Sequence, residues 1–189
     1  MTKATFVKNL LNFFHRAGRL KDIERSGWKL YRVKKPESVA DHSWRTALMA
    51  MLFAKRLGLN ENRAIKMALV HDLTEAITGD YMPNEISRTE KRRKERAALR
   101  ALGKKLGRDG SELLPLWEEF EFEKSREGKL VREIDRLEMA LQAVEYENGK
   151  RALNLQGFLD SVEHLLTIKQ LQDMFGEVKA MRKKKTTLA

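Results

Sequence analysis

The sequence predicts an all-α fold, a compact bundle of mostly antiparallel helices, and three observations carry that prediction. Apolar residues recur at helical spacing along nearly the whole chain. Only three prolines interrupt it, Pro36, Pro83 and Pro115, so long segments are free to stay helical. No segment alternates apolar and polar residues over a strand's length. With 189 residues, 42% of them hydrophobic, the chain has enough apolar surface to close one core, and residues 1–181 read as a single domain.

Taken in order, the periodicity predicts helices over Lys3 to Arg16, Val39 to Leu57, Glu61 to Ile77, Ser87 to Leu106, Gly110 to Phe122, Arg126 to Glu147, Gln156 to Leu166 and Lys169 to Met181. Gly58 reads as a C-terminal stop and Asn60 as the N-cap of the next helix, which makes the helices on either side antiparallel neighbours. Gly18 to Ser38 holds Gly18, Gly27 and Pro36 and keeps no period, so it reads as a long loop, and long loops in compact domains usually carry function. The end of the chain, 182–189, is rich in Lys and Thr and reads as a disordered basic tail.

Charge and cysteine content narrow the chemistry. The formal net charge is +11, but it is concentrated: Arg88 to Arg108 carries +8 and Lys179 to Ala189 carries +5, which leaves the rest of the chain at −2. Each basic run reads first as a solvated helix face or a terminus, and second as a polyanion-binding surface. With no cysteine there is neither a disulfide framework nor a thiolate metal site, so a metal would be held by imidazole and carboxylate. Met1 to Phe14 is broken by Lys3, Lys8 and Asn9 and lacks the apolar core of a signal peptide; no stretch approaches the roughly 20 apolar residues of a membrane span. A cytoplasmic protein is the expectation.

His71 and Asp72 sit side by side in an otherwise apolar helical segment, Ala64 to Leu73. Burying an ionisable pair there is costly unless something compensates, and a metal ion would compensate both. Adjacent helical positions point about 100° apart, so further ligands must come from other helices. His42 and Asp135 are the candidates, each a polar residue on a face that otherwise reads as core. Taken singly, each has a plainer reading: His42 as a hydrogen-bonded core histidine, Asp135 as the partner of Arg132 or Arg136. His15 and His164 stay in that plainer class, since neither has an acidic neighbour placed to form a site. Together, two imidazoles and two carboxylates make a nitrogen and oxygen shell suited to manganese, cobalt, iron, nickel or zinc.

The order H...HD...D resembles the HD superfamily of phosphohydrolases. Further phrases resemble its 5′-deoxynucleotidase branch: Arg25-Ser-Gly-Trp28, Pro36-Glu-Ser-Val-Ala-Asp-His42-Ser, His71-Asp-Leu-Thr-Glu75, Thr78-Gly-Asp80, Glu90-Lys-Arg-Arg93, Glu133-Ile-Asp135-Arg-Leu-Glu-Met139 and Gln142-Ala-Val-Glu-Tyr146. The resemblance implies a helical HD-domain bundle with a buried mononuclear metal site, a nucleotide substrate and a homodimer. It places the metal ligands at His42, His71, Asp72 and Asp135 and the acid or base at Glu75. It places the phosphate-binding arginine at Arg25, the tryptophan that packs on the sugar at Trp28, and the aspartate that contacts a sugar hydroxyl or supports the site at Asp80. In this chain Ser26 and Gly27 separate the arginine from the tryptophan, whereas some relatives have them adjacent.

The implied reaction is hydrolysis of a 2′-deoxyribonucleoside 5′-monophosphate to deoxynucleoside and phosphate. Two rivals are weighed against it. A guanosine tetraphosphate hydrolase of the same superfamily would continue the motif as HD-x-x-E-D, but Ala76 stands at the last position here. A nucleic-acid-binding helical module would use the basic runs, but no such motif is present and aromatics are only 7% of the chain.

Overall fold

The computed structural model describes residues 2–82, 85–148 and 153–183. Pro83 and residues 184–189 of the basic tail lie outside the described residues. Along the chain the α-helices are α1 (Lys3–Gly18), α2 (Ser26–Leu30), α3 (Val39–Arg56), α4 (Glu61–Val70), α5 (Glu75–Thr78), α6 (Arg88–Leu106), α7 (Leu113–Glu121), α8 (Arg126–Glu147), α9 (Gln156–Glu163) and α10 (Lys169–Lys183). Short 3₁₀ turns stand at Arg19–Lys21 and Gly107–Gly110. Among the described residues the one strand-like pairing is an isolated bridge between Glu24 and Ser38.

The centre of the bundle is α8, whose Leu130, Val131, Ile134, Leu137, Ala140 and Val144 are wholly buried. It packs on α3, α4, α7, α9 and α10. In turn α3 packs on α4, and each buries small residues, Ala50 and Ala54 on α3 and Ala64 and Ala68 on α4. Asn60 caps α4 as the sequence predicts, its side chain accepting from the Arg63 N–H, and Gly58 takes the left-handed backbone (φ 62°) that ends the preceding turn. Pro115 lies in the first turn of α7, where its missing N–H costs no helical hydrogen bond.

Four expectations need correction. The segment from Gly18 to Ser38 is no featureless loop: it contains the 3₁₀ turn and α2, and it is stapled to the start of α3. Arg25 N–H donates to Glu37 O (3.1 Å) and Val39 N–H to Ile23 O (2.8 Å). Five residues of helix are too short to leave a periodic trace. The helix foreseen over Glu61 to Ile77 is broken after Val70. There the bonds shorten to three-residue spacing, Leu73 to Val70, Glu75 to Asp72 and Ile77 to Thr74. Likewise α7 begins at Leu113, after the turn at Gly107–Gly110. At the other end α10 runs on to Lys183, and Arg182 donates to Glu147 through Nε (2.5 Å) and Nη2 (3.0 Å). No helix among the described residues is long and apolar enough to cross a membrane.

Candidate metal centre and flanking cavities

Ser38 caps α3 in a reciprocal box with Asp41, which fixes the first turn and sets His42 inside the protein. Its imidazole is fully buried. Two carboxylates one turn apart on α8 take its two nitrogens: Asp135 Oδ1 lies 3.1 Å from Nε2, and Glu138 holds Nδ1. The His71 ring arrives from the end of α4. Its Nδ1–H donates to the Ala68 carbonyl at 2.6 Å, and its Nε2 stands 3.3 Å from His42 Nε2. Asp72 Oδ2 lies 3.2 Å from His71 Nε2 and 3.8 Å from His42 Nε2, and accepts from Arg25 Nη1 at 3.2 Å.

This donor set fits a divalent ion. A carbonyl and a carboxylate only accept, so both Nδ1 atoms carry hydrogen and both Nε2 lone pairs turn inward, toward each other and toward carboxylate oxygens. Such a convergence of lone pairs is repulsive until a cation lies among them, either a metal ion or, without one, a proton on His42 Nε2 shared with Asp135. His42, His71 and Asp135 offer atoms all within 4.8 Å of one another; a second grouping, Glu37, His42 and Glu138, shares His42. The imidazole responds to the same field. Burial and the Arg25 guanidinium depress the His42 pKa, but Glu138 and Asp135 outweigh them and carry it up to about 10. Burial would raise Asp135, yet its bond to His42 holds it below the usual carboxylate range; His71 and Arg25 do the same for Asp72.

Glu75 follows on α5. The three-residue spacing of this turn stacks residues i and i+3, so Asp72 and Glu75 share a side. The side chain is buried, Oε2 has no hydrogen-bond partner among the described residues, and Lys91 Nζ lies 3.7 Å from Oε1. Burial first, then Asp72 and Asp80, push its pKa well above the ordinary value against the pull of Lys91 and Arg25. Gly79 closes α5 with positive φ (74°) and turns the chain so that Asp80 Oδ2 accepts from the Ser26 N–H (2.6 Å) and hydroxyl (3.1 Å). Trp28 is 1% exposed, lies against Phe158 and Tyr146, and donates its indole N–H to Glu37 Oε1 at 3.0 Å. Arg25, Trp28 and Asp80 line one cavity of about 190 Å³ with Gly27, Met139 and Phe158. Asp80 thus reaches the site through α2 and that cavity, apart from the donor set. His15 and His164 are exposed and join neither.

Sequence reasoning missed Glu37, Glu138, Lys91 and Glu95. Glu138 had a signal, being three residues beyond Asp135 and hence on the same helix face. Glu37 had none, since only the pairing of Glu24 with Ser38 swings it under Arg25 and Trp28.

An HD-domain model matches residues 17–172, so the chain belongs to the HD domain family. Over 157 residues it is 47% identical to 5′-deoxynucleotidase HDDC2 of Xenopus laevis, covering 82% of this chain and 78% of that protein. The protein of the same name from Bos taurus is 41% identical over 93% of this chain and 87% of its own length. Among solved structures, one from Pyrococcus horikoshii superposes with a TM-score of 0.77 at 30% identity, covering 90% of this chain and 99% of that one.

Proposed function

We propose that the protein is a metal-dependent 5′-deoxynucleotidase, hydrolysing 2′-deoxyribonucleoside 5′-monophosphates to deoxynucleoside and phosphate. The observation that carries the substrate class is the likeness to relatives named for that activity, 41% and 47% identical over most of the chain. His42, His71, Asp72 and Asp135 would hold one divalent ion, with manganese, cobalt, iron, nickel and zinc all suited to the donors. Bound there, such an ion supplies charge neutralisation for the phosphate and a more acidic water.

The remaining steps fall to the chain's own residues. Arg25 spends Nη1 on Asp72 and has Nε near Glu37, which leaves Nη2 to meet a non-bridging phosphate oxygen. Glu75 keeps a raised proton affinity in a buried setting, which suits it to protonate the leaving 5′ oxygen as the P–O bond breaks. The cavity of Arg25, Trp28 and Asp80 would receive the sugar, with the indole against C2′ and Asp80 near a hydroxyl. The proposal includes a homodimer, checked by light scattering, and a cytoplasmic location.

The test is phosphate release from matched deoxy- and ribonucleoside monophosphates with each of the five metals, with and without chelator. Release from deoxynucleotides that chelation stops is expected. Folded protein that releases none with any metal would overturn the proposal.

A further inference from the structure

Across the Arg25–Asp72 pair from the nucleoside-side cavity lies a second one, of about 200 Å³, which the proposed reaction leaves unused. His71 and Asp72 form its inner wall, so it opens on the same donor set. Its other charged lining is Arg88, Lys91, Arg92 and Arg132 against Glu95 and Glu121, so that with Asp72 four cations face three carboxylates. Three arginines from two helices converge on Glu121: Arg92 Nε donates to it at 2.6 Å, Arg132 Nη1 lies at 3.2 Å and Arg88 Nη2 at 3.7 Å. Lys91 Nζ lies 3.7 Å from both Glu75 and Glu95, beyond hydrogen-bonding distance, so its donors are unspent on them. Arg92 also forms part of an outer groove with Arg93, Arg96 and Arg100. The basic run of α6 is therefore more than a solvated face, since part of it surrounds a cavity beside the metal centre.

We propose that this cavity is a second oxyanion subsite that binds phosphate, with Glu121 occupying part of the arginine cluster in its absence. Guanidinium forks match the paired oxygens of a tetrahedral phosphate as they match a carboxylate. Two sources share that chemistry: inorganic phosphate released at the metal centre, and the distal phosphate of a nucleoside diphosphate whose first phosphate lies there. The plainer role for the same residues is an ion network tying α6, α7 and α8 together, and it makes the opposite prediction for one variant.

The experiment is a calorimetric titration of the metal-loaded full-length protein with inorganic phosphate, in wild type, Arg92→Gln and Glu121→Gln. Loss of one guanidinium should weaken phosphate about tenfold or more, the loss expected of a charge-assisted bond. Loss of the internal carboxylate should tighten it severalfold, because an internal competitor is gone. Equal affinities in all three proteins, or weakening in both variants together, would overturn the subsite. Repeating the titration with a deoxynucleoside diphosphate separates the sources: a shift in parallel with phosphate assigns the distal phosphate, and a shift for phosphate alone assigns the product. Neither titration requires turnover, so the subsite and the nucleotidase reading stand or fall separately.

Discussion

His42 Nε2 and His71 Nε2 stand 3.3 Å apart, brought together from α3 and the turn after α4 with their other nitrogens already committed to Glu138 and Ala68. Two imidazoles so oriented form a seat for a cation. His71→Ala is expected to lose both bound metal and turnover while staying folded, and chelation of the wild type should abolish activity. Metal content by elemental analysis, read with a thermal melt, checks this. Full activity in metal-free His71→Ala protein would exclude the mechanism.

Glu138 should act one step removed. It grips His42 Nδ1 and accepts from Arg45 Nε at 2.7 Å, so it sets the ring's orientation and proton position. Partners of this kind usually contribute 10- to 100-fold in metal affinity. Glu138→Gln is therefore expected to weaken metal by about that factor and His71→Ala to remove it. The reverse ranking would move the ion to the grouping of Glu37, His42 and Glu138.

Glu75 is assigned to proton transfer, so Glu75→Ala should keep its metal and lose roughly 100-fold or more in turnover. Its raised pKa comes first from burial and then from Asp72 and Asp80, with Lys91 opposing the rise from 3.7 Å away. Loss of metal with Glu75→Ala would make it a ligand, and near-normal turnover would remove it from the chemistry.

The parts of the fold legible in the sequence were those whose physics is local. The bounds of α8 follow from a long apolar stripe that buries one face, and the start of α4 from the carboxamide oxygen of Asn60, which accepts from the Arg63 N–H. The break at His71 was not legible, because Leu73 and Ala76 continue the helical period while the backbone tightens to three residues per turn. That difference matters to the site, since tightening is what stacks Glu75 over Asp72. Glu37 and Glu121 were illegible for another reason: each gains its meaning from side chains far away in sequence, Arg25 and Trp28 for one, Arg92 and Arg132 for the other.

Glu95 gives the protein a pH-dependent stability. Burial, with Asp72 and Glu121, raises its pKa to about 7 despite Lys91. A carboxyl with a raised folded pKa holds a proton that the unfolded chain has released. Its contribution is full below about pH 4.5 and is lost as pH rises through about 7, amounting to about 3 kcal/mol. Glu95→Gln should flatten that fall between pH 5 and 8. Denaturant titrations in chelator, where metal binding adds no pH dependence of its own, will read it. Parallel curves for wild type and variant would show that Glu95 titrates normally.

Discrimination between deoxy and ribo substrates turns on Trp28, and its burial changes how the test must be made. The indole is packed on Phe158 and Tyr146 at 1% exposure, so Trp28→Ala would cost about 3 to 5 kcal/mol in stability and confuse folding with specificity. Trp28→Phe keeps an aromatic ring there and removes bulk together with the N–H to Glu37. If the indole closes on C2′, a ribonucleotide must bury its extra hydroxyl against an apolar wall at about 1 to 3 kcal/mol. That corresponds to a preference of about 5- to 150-fold for the deoxy substrate. Trp28→Phe should narrow the ratio of kcat/KM values, mainly by recovering ribonucleotide turnover. Arg25→Ala should weaken both substrates alike, because both carry the same phosphate. An unchanged ratio in Trp28→Phe, beside the expected uniform loss in Arg25→Ala, would take the indole out of the specificity argument and leave the phosphate contact in place.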